Sequence, residues 1–224
     1  MGNYEKAEPL YLEAKAIQEK LSGTQHSEYA TCLNNLALFY KKMGNYEKAE
    51  LLHIEAKAIF QKELGTEHPN YASNLFNLAL VYADIGDYEK AEPLHIEAKA
   101  IVEKLLGKEH PDYTQSLDKL VDLFERQNRF SNSEALMPEL SALKQERILK
   151  SASFLSEREL AKYSAKFQEN SFYIYLLTRP PGHAGTLSNL AFDHSLFYKG
   201  FLLTAAARLN SPSSSPESEE INNH

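Results

Sequence analysis

Apolar residues along the chain fall into two helical patterns that alternate. In the first pattern, over 68–86, they recur three or four residues apart, as expected for a helix with one buried stripe. That stripe consists of Tyr71, Leu75, Leu78, Ala79 and Tyr82. Pro69 suits the first helical position, and Gly86 can adopt the positive φ that ends a helix. The second pattern, over 87–107, predicts a helix whose inward residues are Tyr88, Ala91, Leu94, Ala98, Ile101 and Leu105.

The two patterns together make a unit that repeats. The stretch from Gly44 to Ile85 recurs from Gly86, so matching residues lie 42 positions apart, and another copy begins at Gly2. A fixed period of this length is typical of a solenoid, in which each unit buries its apolar face only against its neighbours. We therefore predict an all-α fold with helices at about 4–21, 27–42, 46–64, 69–84, 88–106, 111–126 and 131–148.

The residues at the predicted helix crossings resemble those of a known family. The spacing of the tetratricopeptide repeat (TPR) is found at Leu33, Leu36, Ala37, Tyr40, Ala49 and Ala56. The segments NNLALFY and LGTEHPNYA resemble the kinesin light chain type of this repeat. The resemblance covers about 1–148 and implies a TPR array of about three and a half units, a right-handed superhelix (α-solenoid). It also implies a concave groove lined by the first helix of each unit.

The first copy lacks half of its unit. Gly2 corresponds to the turn between the two helices of a unit, so the chain opens with a second helix. Because solenoid ends need a polar cap, we expect its apolar stripe to be partly uncovered. The stripe consists of Tyr4, Ala7, Leu10, Ala14 and Ile17. We expect this end to dock onto another chain or to form an oligomer contact, or else the protein is a fragment of a longer one.

The period is lost after Ser151, and a different block follows. Its segments SERELAKYSAKFQEN and SLFYKGFLL resemble the connector after the repeats in bacterial TPR proteins that carry a caspase-like CHAT domain, with Lys199 and Gly200 at the family's Lys-Gly step. The resemblance implies a small helical block over 154–209, although 171–178 fits helix or strand equally. The polar tail 210–224 is expected to be disordered. The CHAT domain itself, with its His and Cys pair, is absent from this sequence.

Composition narrows the class of partner. The net charge is −7 and the pI is about 5.7, which argues against nucleic acid or an anionic membrane as the main partner. The single cysteine, Cys32, excludes an intramolecular disulfide and fits a reducing compartment; we expect it to be a small core residue. No apolar run approaches the length of a membrane span. We therefore predict a cytoplasmic protein.

Histidines invite a metal hypothesis, but their positions favour structural roles. His26, His68 and His110 recur one unit apart, each just before a predicted helix, so a role at the helix start is favoured over a shared ion. His53 and His95 match Tyr11 of the first copy, as expected for a packing site between helices. The sequence contains no phosphate loop, nucleophile motif or metal-spaced carboxylate cluster. We predict no enzymatic activity, no cofactor and no metal site.

Polar residues one unit apart are the candidate binding residues. Asn35, Asn77 and Lys119 occupy equivalent positions on the helices that should line the groove. Carboxamides in such a row can bind the backbone of an extended peptide, and a lysine favours an acidic side chain or terminus. The alternative is that the asparagines satisfy neighbouring helix ends. Variable neighbours complete the candidate set: Asn34, Phe76 and Lys42.

The sequence thus predicts a noncatalytic adaptor or scaffold that binds a protein or peptide in the concave groove. One alternative is a truncated regulatory part of a caspase-like TPR-CHAT protease system. A second alternative is a self-assembling structural module.

Overall fold

The computed structural model describes residues 4–152, and these residues form seven α-helices and no strand. The helices are α1 (Tyr4–Ser22), α2 (Ser27–Lys42), α3 (Tyr46–Glu63), α4 (Pro69–Ile85), α5 (Tyr88–Leu106), α6 (Pro111–Arg126) and α7 (Phe130–Ala152). The predicted all-α fold is therefore confirmed. The connector-like block 154–209, the segment 171–178 and the tail 210–224 lie outside the described residues.

The chain divides into two compact units, Met1–Leu140 and Ser141–His224. In the second unit, the described residues are the last turns of α7. All contacts discussed below lie within the first unit. There, each helix from α1 to α5 packs against the next one along the chain, and α2 also contacts α4. The first helices of these two successive repeats therefore touch.

Two kinds of cap alternate along the array. At the start of α2, α4 and α6, Nδ1 of His26, His68 and His110 accepts a hydrogen bond from the backbone N–H two residues later. At the start of α3 and α5, the caps are side chains of Asn45 and Asp87. The predicted helix-start role of the three histidines is confirmed.

Small residues allow the helices to approach closely. Ala37, Ala49, Ala79 and Ala91 are completely buried, and the stripe predicted for α4 is buried throughout. The terminating glycine of α4, Gly86, has a φ of 83°. Alanine at a helix crossing leaves room for the larger neighbours. The next copy departs from this pattern, with Val121 and Ser133 at the matching positions.

The exposure of side chains differs from the sequence prediction at two positions and agrees with it in α1. Leu105 was expected to face inward but is 40% exposed, because it lines a cleft between α4, α5 and α6. Cys32 is half-buried rather than a core residue. The uncovered stripe predicted for α1 is confirmed, since this helix has no buried residue and Leu10 is 65% exposed.

None of the helices in residues 4–152 is long and apolar enough to cross a membrane.

Candidate peptide-binding surface

The junction of α2, α3 and α4 is tightly filled, and we call it the closed seam. Its centre is Phe60 of α3, which is 2% exposed and packs in a cluster of buried apolar side chains from these helices. Beside it, Nδ2 of Asn74 donates to Oδ1 of Asn34 (3.2 Å) and lies 3.1 Å from Nδ1 of His53. At its rim, Nε2 of His26 is 3.3 Å from Oε1 of Glu63. Phe60 therefore fills the centre of the closed seam.

One unit further on, the junction of α4, α5 and α6 contains a cleft of about 220 Å³, which we call the open cleft. Its lining combines apolar and polar side chains. They are Pro69, Ala72, Ser73, Phe76 and Asn77 of α4, Ala98, Val102, Leu105 and Leu106 of α5, and Asp112, Gln115 and Ser116 of α6.

Substitutions between the two copies explain why this cleft is open. Val102 stands at the position that Phe60 occupies in the preceding unit, so an aromatic ring is missing. Leu105 replaces Glu63 and cannot form the contact that Glu63 makes with a histidine. Leu105 and Leu106 remain 40% and 42% exposed. The result is an apolar cleft beside polar groups, the usual composition of a ligand site.

Asn34 also changes between the copies. In the closed seam, it accepts hydrogen bonds from Asn74 and Asn77. Its counterpart one unit on is Phe76, whose ring packs edge-on against the ring of His95, with centroids 5.3 Å apart. An amide network is therefore replaced by an aromatic contact next to the open cleft.

The two buried histidines near these junctions carry no charge at neutral pH. Burial lowers the pKa of both His53 and His95 to about 4, with a smaller contribution from a nearby lysine, Lys41 for the first and Lys119 for the second. The predicted role of these histidines as packing residues between helices is confirmed, since they are 0% and 1% exposed.

The candidate residues from the sequence lie in three places. Phe76 and Asn77 line the open cleft, and Asn77 donates to Asn34. Asn35 and Lys42 line a different depression, between α1 and α2, because the helix before them is α1 and not another first helix.

Lys119 belongs to neither lining and lies near His95. The row of three equivalent residues is thus not gathered around one cavity.

Sequence reasoning missed the contribution of α5 to the open cleft. The groove was expected to be lined by the first helix of each unit, yet Val102, Leu105 and Leu106 of a second helix supply the apolar half of the lining. A signal was present in the sequence, because Val102 and Leu105 are two of the four positions at which the otherwise identical second helices differ.

Within residues 4–152, no group of three or more His, Cys, Asp or Glu side chains could hold a metal ion.

Comparison with known proteins agrees with this architecture. The sequence profile of the tetratricopeptide repeat matches residues 1–51, 33–98 and 74–146. No curated protein matches the chain.

Similar solved structures include BtubC (BKLC) from P. vanneervenii, with 28% identity, a TM-score of 0.59 and coverage of 64% of this chain. This chain spans only 57% of the length of that protein.

Two structures of a kinesin light chain-like protein from P. anserina with nearly identical TPR-like repeats are also similar. Their identities are 21% and 22%, and their TM-scores are 0.60 and 0.61. The matches cover 93% and 94% of this chain and 90% of each of those chains. At this level of identity, they show the fold alone. Since the repeat profile matches well over half of the sequence, this chain belongs to the tetratricopeptide repeat family.

Proposed function

We propose that this chain is a noncatalytic adaptor or scaffold that binds a protein segment in the open cleft. Tetratricopeptide arrays are in general scaffolds for protein interaction, and this family membership sets the class of function. The single observation that carries the proposal is the apolar cleft itself, where Val102 leaves space that Phe60 fills in the preceding unit.

The lining suggests the chemistry of the bound segment. Val102, Leu105 and Leu106 would surround one aromatic or branched aliphatic side chain. Asn77 and Gln115 carry carboxamides, which can bind the N–H and C=O groups of an extended backbone. Lys119, one helical turn beyond Gln115, would favour an acidic side chain or terminus. We place this activity in the cytoplasm, with neither nucleic acid nor a membrane as partner.

The substitution Val102→Phe provides the test, because it copies the residue that closes the preceding unit. Peptides are selected from a displayed random library on the full chain, and their affinities are then compared for the two proteins. Filling the cleft should remove the burial of one large apolar side chain, so affinity should fall about 10- to 100-fold. Ile96→Ala, an exposed apolar change on the same helix outside the cleft, is the matched control.

Equal affinity of the selected peptides for the wild type and for Val102→Phe would contradict the proposal. Phe60 fits the equivalent position, so the variant should keep its thermal stability, and a lost affinity could then not be ascribed to unfolding.

The polar side of the site is tested separately by the double substitution Asn77→Ala with Lys119→Glu. We expect about tenfold weaker capture of peptides that carry an acidic residue, and little change for peptides without one. Thermal stability should change little, because Asn34 keeps its hydrogen bond from Asn74. Unchanged capture of acidic peptides would remove Asn77 from the site and would contradict the proposed attraction of acidic residues by Lys119.

A further inference from the structure

The depression between α1 and α2, which we call the end groove, has a volume of about 560 Å³. Its floor is aromatic: the rings of Tyr4 and Tyr11 lie 6.0 and 5.0 Å from that of Phe39. Ala7, Asn35, Leu38 and Lys42 complete it. Tyr4 and Tyr11 are 40% and 38% exposed. This is an apolar surface beside the first described helix, separate from the open cleft.

The internal copies show what covers such a surface. The counterparts of Ala7 and Phe39 one unit on are Ala49 and Val81, and both are completely buried. They pack in one cluster with Leu36, Ala37 and Tyr40 of α2. His53, the counterpart of Tyr11, is 0% exposed. The occupant at the internal site is therefore an amphipathic helix, the first helix of the preceding unit.

Polar contacts of the internal site specify the chemistry further. Nζ of Lys41 on α2 is 2.8 Å from Oδ2 of Asp84 on α4. In the end groove, the position of Asp84 is held by Lys42, so the sign of the charge is reversed. A helix bound there would need an acidic residue where α2 has Lys41.

A second polar contact of the internal site also has a counterpart in the end groove. Asn77 donates to the side-chain oxygen of Asn34 on α2 (3.3 Å). Its counterpart in the end groove is Asn35, which can donate to a side-chain oxygen at the matching position of a bound helix.

We propose that the end groove binds an amphipathic helix of a separate polypeptide, packed as α2 packs on α3 and α4. The helix presents a small and two large apolar residues at the positions of Ala37, Leu36 and Tyr40, and an Asp or Glu at that of Lys41. This site goes beyond the proposed function, because the ligand is helical, the surface is different, and its charge preference is set by Lys42.

The structure supplies its own ligand for the test. The probe is a fluorescein-labelled peptide with the sequence of residues 27–42 in which Lys41→Glu introduces the acid and Cys32→Ser prevents oxidation. Its binding to the full chain is measured by fluorescence anisotropy. The matched control is the same peptide with the lysine kept. We expect the acidic peptide to bind about fivefold more tightly, the effect of one ion pair at a partly exposed site.

The chain variant Lys42→Glu should reverse this preference, so that the lysine peptide binds more tightly. Lys42 is exposed, and its replacement should leave the fold intact. Val102→Phe should leave the affinity for both peptides unchanged, which separates this site from the open cleft.

Three results would overturn the proposal. One is that neither peptide binds. The second is that the preference between the peptides does not respond to Lys42→Glu. The third is that the chain forms a dimer in sedimentation and that Tyr11→Arg dissociates it, which would make a second copy the occupant.

Discussion

The closed seam and the open cleft are the same junction built twice, with opposite results. Both join two first helices to the second helix between them, and both carry a completely buried alanine and a buried histidine. In the closed seam, Phe60 fills the junction and Asn34 bonds to the facing helix. In the open cleft, the equivalents are Val102 and Phe76, and space remains. A few side chains at one junction thus separate a filled structural contact from an open cleft.

The tyrosine hydrogen bonds that repeat along the array are not shared by the two junctions. Tyr82 donates to Glu50 between α3 and α4, in the closed seam, and Tyr71 donates to Glu97 between α4 and α5, in the open cleft. Their repeat counterparts lie outside both junctions, between α1 and α2 and between α6 and α7. What the two junctions share is the buried alanine and histidine, so the difference between them arises from the side chains that change, above all Phe60 to Val102.

The largest effect should come from emptying the closed seam with Phe60→Ala. Removing a ring that is 2% exposed leaves a cavity between three helices and should cost about 3–5 kcal/mol of unfolding free energy. Val102→Ala, at the matching position of the open cleft, should cost only about 1 kcal/mol, because that side chain is already half-exposed to the cleft. Urea denaturation followed by circular dichroism measures both.

Equal losses for the two variants would contradict the assignment of one junction as filled and the other as open. The two positions lie in equivalent turns of α3 and α5, so helix propensity cannot account for a difference between them.

A smaller effect should follow from acidification, and it should be shared by the two junctions. The pKa of His53 and of His95 is about 4 in the folded chain, below the value of about 6.5 expected when unfolded. Between these values, the unfolded chain binds more protons, so stability is full above pH 6.5 and falls as the pH decreases towards 4. Each histidine should cost about 2 kcal/mol between pH 7 and pH 5.

The measurement is the unfolding free energy at pH 7, 6 and 5 for the wild type, His53→Gln and His95→Gln. Each substitution should flatten the pH dependence by about the same amount, since the two rings are equally buried. A wild-type stability that stays level from pH 7 to pH 5 would show that the rings can be protonated in place.

The sequence predicted correctly the structural features that repeat in each unit, but it did not predict those that differ between units. The periodicity placed the stripe of α4 inward and the histidine caps at helix starts, because these depend on local geometry common to every unit. It could not place Leu105, since periodicity assigns a face to a residue but does not say whether the opposite helix brings a side chain large enough to cover it.

The contacts of the candidate binding residues could not be predicted for the same reason. Asn35 and Asn77 are equivalent in sequence, but Asn77 faces Asn34 of α2, whereas Asn35 lies over α1 in the end groove. Equivalence along the chain defines equivalent backbone positions, and the contacts then depend on which helix comes before. That information is spread over neighbouring units and is not contained in the repeat pattern.

The smallest effect concerns the ion pair between Lys41 and Asp84, which relates the closed seam to the end groove. Their side chains are 21% and 34% exposed, so a double-mutant cycle with Lys41→Ala and Asp84→Ala should give a coupling of about 0.5–1 kcal/mol in unfolding free energy. Lys41 also lowers the pKa of His53, but it does so whether or not Asp84 is present, so this effect cancels in the cycle. A coupling near zero would mean that packing alone holds α2 on α4. In that case, Lys42 should not make the end groove prefer an acidic helix. A coupling in the expected range would instead predict how much more tightly the acidic peptide binds than the lysine peptide.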